Sequence, residues 1–115
     1  MKPASRGEVW LIDLGPIEGH EQAGWRPAVI FQTDDLSPLS TVVIIPLTTQ
    51  LKTAGSANTV LIPAREAGLD QDSLALCHQI RALDRRKLIR RKGELVPERL
   101  SEIELGVIFV LGISS

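Results

Sequence analysis

The chain has 115 residues, 43% hydrophobic and 23% charged, with a formal net charge of −1 at pH 7. That length suits one domain over residues 1–115 with one modest core, and the charge balance argues against a uniformly basic nucleic-acid binder. A single cysteine, Cys77, rules out an intrachain disulfide framework and fits a reducing cytoplasm. The opening "MKPASRGEVW" has no basic-then-apolar leader. The longest apolar run, "VVIIPL", falls far short of the ~20 residues that span a bilayer. The expectation is a cytoplasmic protein with no membrane attachment.

In chain order, "GEVWLIDL" (7–14) predicts a first strand, with Val9 and Leu11 on one face and Trp10, Ile12 and Leu14 on the other. "GPIEGHEQAG" (15–24) carries three glycines and a proline, which makes it a loop. "RPAVIFQ" (26–32) reads as a second strand, with Pro27 near its start because it lacks an N–H. "TVVIIPL" (41–47) is a β-branched third strand, and "TVLIP" (59–63) a short fourth. The small polar stretch between them, 52–58, should be exposed. "PAREAGL" suits one helical turn ended by Gly68. "SLALCHQIRAL" (73–83) predicts one long fifth strand, after which Asp84 caps a short basic helix, "RRKLIRR". Beyond Pro97, Leu100, Ile103, Val107 and Val110 recur at helical spacing, so the chain ends on an amphipathic helix. Five or six short strands, brief helices and one terminal helix give a mainly β (α+β) fold, a small bent barrel or sheet rather than a doubly wound one.

Charge is unevenly placed. Residues 81–92 hold seven of the thirteen basic residues and one acid, whereas residues 1–80 hold five basic and nine acidic residues. Such a cluster binds phosphates locally whatever the total charge, or serves as a solvated face or a surface for an acidic protein. Other chemistries find no footing. There is no glycine-rich phosphate loop and no G-x-S-x-G elbow, and His20, Cys77 and His78 are too few and too poorly spaced for a structural zinc site.

Four segments in order, "RGEVWLIDLGP", "EQAGWRPAVI", "IIPLTTQ" and "HQIRALDRRKL", resemble the MazF/PemK family of toxin endoribonucleases from type II toxin–antitoxin modules. The resemblance runs over nearly the whole chain. It implies an SH3-like barrel of the MazF/PemK/CcdB type, acting as a homodimer. It also implies cleavage of single-stranded RNA at a short recognition sequence, without metal or cofactor, leaving 2′,3′-cyclic phosphate and 5′-hydroxyl ends. A MazE-like antitoxin, disordered in part until bound, would neutralise it, with residues 81–92 as one docking surface for its acidic segment. DNA is not an expected direct partner.

The same resemblance assigns roles. Arg26, in the "RP" pair, matches the family's catalytic arginine; a guanidinium does not titrate near neutrality, so charge stabilisation of the phosphorane suits it better than proton transfer. Thr48 matches the threonine after the third strand, placed to donate to a nonbridging oxygen or to orient the 2′-OH. His78 stands where many relatives carry an acid. An imidazole is a competent general base, but strict alternation would put His78 with Leu74, Leu76 and Ile80 in the core, so catalytic and structural readings both stand. Glu21 and Gln22 in the loop, with Gln79 and Arg81, are the expected RNA contacts. His78 and Gln79 cannot both face a groove from a regular strand without a bulge. Trp25 suits either packing or base stacking, and Trp10 the core. Two rival readings share the barrel: a non-catalytic module binding antitoxin or RNA, and a CcdB-like gyrase poison. The latter would need no Arg26–Thr48 pair and would act through a tryptophan-bearing tail, where this sequence reads "LGISS".

Overall fold

The computed structural model describes residues 4–15 and 24–114. Seven antiparallel strands, β1 (Glu8–Asp13), β2 (Trp25–Ile30), β3 (Thr41–Thr48), β4 (Thr59–Ile62), β5 (Ser73–Leu76), β6 (Arg81–Asp84) and β7 (Leu88–Glu94), precede one helix, α1 (Pro97–Leu111). They pair in the order β4-β5-β3-β2-β1-β7, and β6 joins β3 beside β5. The mainly β expectation with a C-terminal helix holds.

Strands β1 to β3 bury both faces, so the sheet has two cores. Val9, Val29, Ile45 and Leu47 pack with Val60, Ile62, Ile103 and Val107 under α1. Trp10, Ile12, Ala28, Ile30, Val42, Ile44 and Leu88 form the second cluster on the other side. Alternation along β1 sends Val9 one way and its neighbours Trp10 and Ile12 the other. Helix α1 begins at Pro97, whose missing N–H would have had no partner there, and ends on Gly112 in the left-handed conformation, whose N–H bonds back to the Ile108 and Phe109 carbonyls.

Two expectations are corrected. The long fifth strand over 73–83 is two strands, β5 and β6, joined by a 3-10 turn at Cys77–Gln79. The Cys77 N–H leaves the ladder for the Asn58 carbonyl (3.0 Å), and the Ile80 N–H closes the turn on the Cys77 carbonyl (3.3 Å). The side chain of Cys77 is fully buried beneath α1, which pins the bend. The basic helix after Asp84 is likewise only one 3-10 turn, Arg85–Lys87, before the chain extends into β7. Asp84 does cap it, accepting from the Arg86 N–H at 2.8 Å. Pairing of residues 88–94 with β1 overrides local helix preference.

Candidate functional site

Gly15 and Gly24 lie against each other where β1 ends and β2 begins. The Leu14 N–H bonds the Gly24 carbonyl (2.8 Å), and Asp13 Oδ1 accepts the Gly15 N–H (2.8 Å). A Cβ on Gly24 would lie 2.1 Å from the Gly15 carbonyl oxygen, so only glycine allows the two arms to meet there. This contact fixes where β2 starts, and therefore where Trp25 and Arg26 stand. Arg26 faces Ile12 across the β1–β2 ladder. Pro27 costs the sheet nothing, because pairing with β3 begins only at Ala28, opposite Pro46.

Two clefts open at this end of the sheet. One, of about 200 Å³, is lined by Trp25, Arg26, Pro27, Leu47, Thr48, Thr49 and Ser73. The other, of about 270 Å³, is lined by Leu14, Arg26, Pro46, Leu47, Thr48, Leu76 and Gln79. Arg26, Leu47 and Thr48 belong to both. Sequence reasoning paired Arg26 with Thr48, and the fold brings them together.

Arg26 is half-buried, yet its guanidinium has no hydrogen bond or ion pair among the described residues. Arg85 shows what a structural arginine does in the same chain: it is buried, and donates to the carbonyls of Leu39 (3.0 Å) and Thr41 (3.3 Å). Thr48 Oγ1 accepts from the Gln50 N–H at 3.0 Å, which leaves its own O–H to donate elsewhere. A cation left unpaired among the described residues, beside a hydroxyl with a proton to donate, is suited to hold an anion whose charge grows during reaction.

The remaining candidates divide. Gln79 lines the second cleft. His78, its neighbour on the turn, is exposed and lines neither; its Nδ1 lies 2.8 Å from the Asn58 amide nitrogen. The 3-10 turn, not a bulge, separates the two side chains, and His78 is not in the core that alternation suggested. Arg81 is exposed at the start of β6, outside both clefts. Glu21 and Gln22 lie outside the described residues.

The basic cluster is dispersed. Arg85 is buried, Arg86 is paired with Asp84 (2.8 Å), and Arg91 with Glu8 (2.7 Å). Hydrogen bonds from the Arg86 side chain and N–H hold the Asp84 carboxyl down at about 2. Lys87, Arg90 and Lys92 have no ion pair among the described residues. Sequence reasoning missed Ser73, a buried hydroxyl at the start of β5 that donates to the Gln71 carbonyl (3.0 Å). Its signal was a small polar residue opening an apolar strand, and it is next to Leu74, the register partner of Thr48.

Residues 5–111 match the profile of the PemK-like, MazF-like toxins of type II toxin–antitoxin systems. The chain belongs to that family. Solved structures agree on the fold. An endoribonuclease in complex with its cognate antitoxin, from a Mycobacterial species, is 23% identical, with a TM-score of 0.80 over 96% of this chain and 97% of its own. A MazE–MazF complex from Deinococcus radiodurans is 25% identical, with a TM-score of 0.80 over 99% of this chain and 100% of its own. Among the described residues, no group of three or more His, Cys, Asp or Glu side chains is placed to hold a metal, and no helix is long and apolar enough to cross a membrane.

Proposed function

We propose that this toxin-family chain is an endoribonuclease that cuts single-stranded RNA at a short recognition sequence, with no metal, and that a MazE-like antitoxin neutralises it. The observation that carries this reading is the guanidinium of Arg26, without a hydrogen bond or ion pair among the described residues, beside the Thr48 hydroxyl at the junction of two clefts. The ribose 2′-oxygen attacks the adjacent phosphorus as its proton leaves. The phosphorane's charge falls between Arg26 and the Thr48 O–H, and the P–O5′ bond breaks as O5′ takes up a proton. The products are a 2′,3′-cyclic phosphate and a 5′-hydroxyl. Arg26 supplies fixed positive charge where a divalent cation would otherwise be needed.

Gln79 contributes an amide able to read a base edge, and Glu21, Gln22 and Arg81 complete the proposed RNA contacts. His78 is the candidate acceptor of the 2′-OH proton. It lines neither cleft, so that role requires RNA to reach it beyond Gln79. The homodimer, the cytoplasmic setting and the single-domain organisation complete the proposal. Support for a neutralising partner comes from the antitoxin complexes of the two similar structures.

The deciding experiment is incubation of a mixed-sequence RNA in EDTA with wild type, Arg26→Ala and His78→Ala, followed by end-group analysis. Cyclic-phosphate ends from wild type, lost in Arg26→Ala, support the reading. A folded wild type that leaves RNA intact overturns it in favour of a binding module. Retention of the pH–rate profile in His78→Ala removes the histidine from the chemistry.

A further inference from the structure

Arg26, Leu47 and Thr48 are common to both clefts, and everything else in the two linings differs. A phosphate held at the shared residues sends its two flanking nucleosides into unlike surroundings. The Gln79 cleft offers one amide over apolar Leu14, Pro46 and Leu76. The other offers an exposed hydroxyl at Thr49 and one indole, Trp25.

That indole is unusual in this chain. The sequence has four aromatic residues, and Trp25 is the one that reaches the clefts. Trp10 is 5% exposed, with its indole N–H donated to Glu8 Oε1 at 3.0 Å. Phe31 lies beneath the Arg6 guanidinium, 4.5 Å from ring centre to Cζ, and Phe109 is on the outer side of α1. Trp25, by contrast, is 57% exposed and makes no hydrogen bond among the described residues. Leaving so large an apolar plane in water forgoes burial that would stabilise the fold, whereas a flat aromatic face beside a cation is what an unstacked base requires.

We propose that Trp25 is the stacking platform for the base on one side of the scissile phosphate, and that the two sides are therefore recognised by different chemistry. One base stacks on Trp25, with the exposed Thr49 hydroxyl in the same cleft; the other is read at its edge by Gln79. This inference rests on the endoribonuclease reading. It assigns the stacked position tolerance among bases, since every base has a π-face, and leaves base discrimination to the Gln79 side.

The test uses an RNA oligonucleotide spanning a cleavage site mapped in mixed RNA, with a 2′-deoxyribose at the nucleophilic position to block the reaction. Binding should quench tryptophan emission in wild type but not in Trp25→Phe, because Trp10 is buried. Trp25→Ala should raise Kd roughly 10- to 100-fold, and Trp25→Phe should recover most of it. An abasic residue at one flanking position should weaken wild type by a similar factor and leave Trp25→Ala unchanged. Equal abasic penalties in both proteins, or wild-type affinity in a folded Trp25→Ala that still cuts mixed RNA, would overturn the platform while leaving the endoribonuclease intact. A wild type that fails to cut mixed RNA removes both.

Discussion

Gly106 of α1 presses on the sulfur of Cys77: a Cβ at position 106 would stand 2.7 Å from Sγ. The same sulfur lies 3.9 Å from the Ile103 carbonyl oxygen one turn earlier. Cys77 opens the 3-10 turn that closes on Gln79, so one tight contact links the terminal helix to a cleft residue. In the sequence, Gly106 is a flaw in an amphipathic helix; in the fold it is what lets α1 approach.

Gly106→Ala should therefore destabilise the protein, despite alanine's better helix propensity. Overpacking a full core costs about 1–3 kcal/mol, against a gain near 1 kcal/mol for leaving glycine. Cys77→Ala in the same chain removes the sulfur and should restore most of the loss. Urea midpoints of the two single variants and the double variant give the coupling. Additive effects would mean that the contact is not tight.

Acid stability should depend on Glu8. Burial pushes its carboxyl up, but bonds from the Ser5 N–H, the Trp10 indole and Arg91 outweigh this and hold it below its ordinary 4.5. A carboxyl whose pKa falls on folding stabilises the native state above its unfolded pKa, and that contribution is lost as pH drops through the folded value. The stability gap between wild type and Glu8→Gln should be about 1–2 kcal/mol at neutral pH. It should close progressively below about pH 4.5. A gap that stays constant with pH would contradict the assignment.

Arg26 and Arg85 should respond oppositely to the same truncation. Arg85→Leu orphans the Leu39 and Thr41 carbonyls and should cost about 2–3 kcal/mol. Arg26→Leu breaks no bond among the described residues and should shift stability by no more than about 0.5 kcal/mol in the unfavourable direction. Its RNA cleavage should fall at least ~10²-fold. Thermal melts and initial rates on the same preparations separate the two effects, and a strongly destabilised Arg26→Leu would count against a catalytic arginine.

Thr48→Ser keeps the oxygen that receives the Gln50 N–H and the proton to donate, so it should cut RNA within a few-fold of wild type. Thr48→Val keeps the shape and removes both functions. We expect a loss of about 10²-fold in kcat, by analogy with removing one oxyanion donor. Equal rates for the two variants would assign Thr48 to packing.

The site was legible in the sequence where motif and strand coincide, and obscure where the chain leaves regular structure. Arg26 and Thr48 were singled out by the resemblance to the toxin family, whose motifs here fall at the ends of strands that the apolar alternation marks plainly. The 77–79 turn was missed because "SLALCHQIRAL" keeps its apolar content through the break; what bends it is Asn58 and Gly106, distant in sequence. Arg85 looked like one charge among seven, and only the fold shows it turned inward to two carbonyls. The short basic helix failed for the reason that β7 succeeds: an open edge of β1 receives it.

Strand β1 is completed on one side by β2, its near neighbour, and on the other by β7, from the far end of the sequence, with Glu8 opposite Glu94. Such distant closure is slow, because chain entropy must be surrendered before the pairing repays it. During synthesis, Arg26 and Thr48 emerge well before β7 and before the helix that seats Cys77. The sequence order thus places the residues that line both clefts ahead of the strand and helix that pack behind them, and a growing polypeptide carries those residues before β7 and α1 are in place.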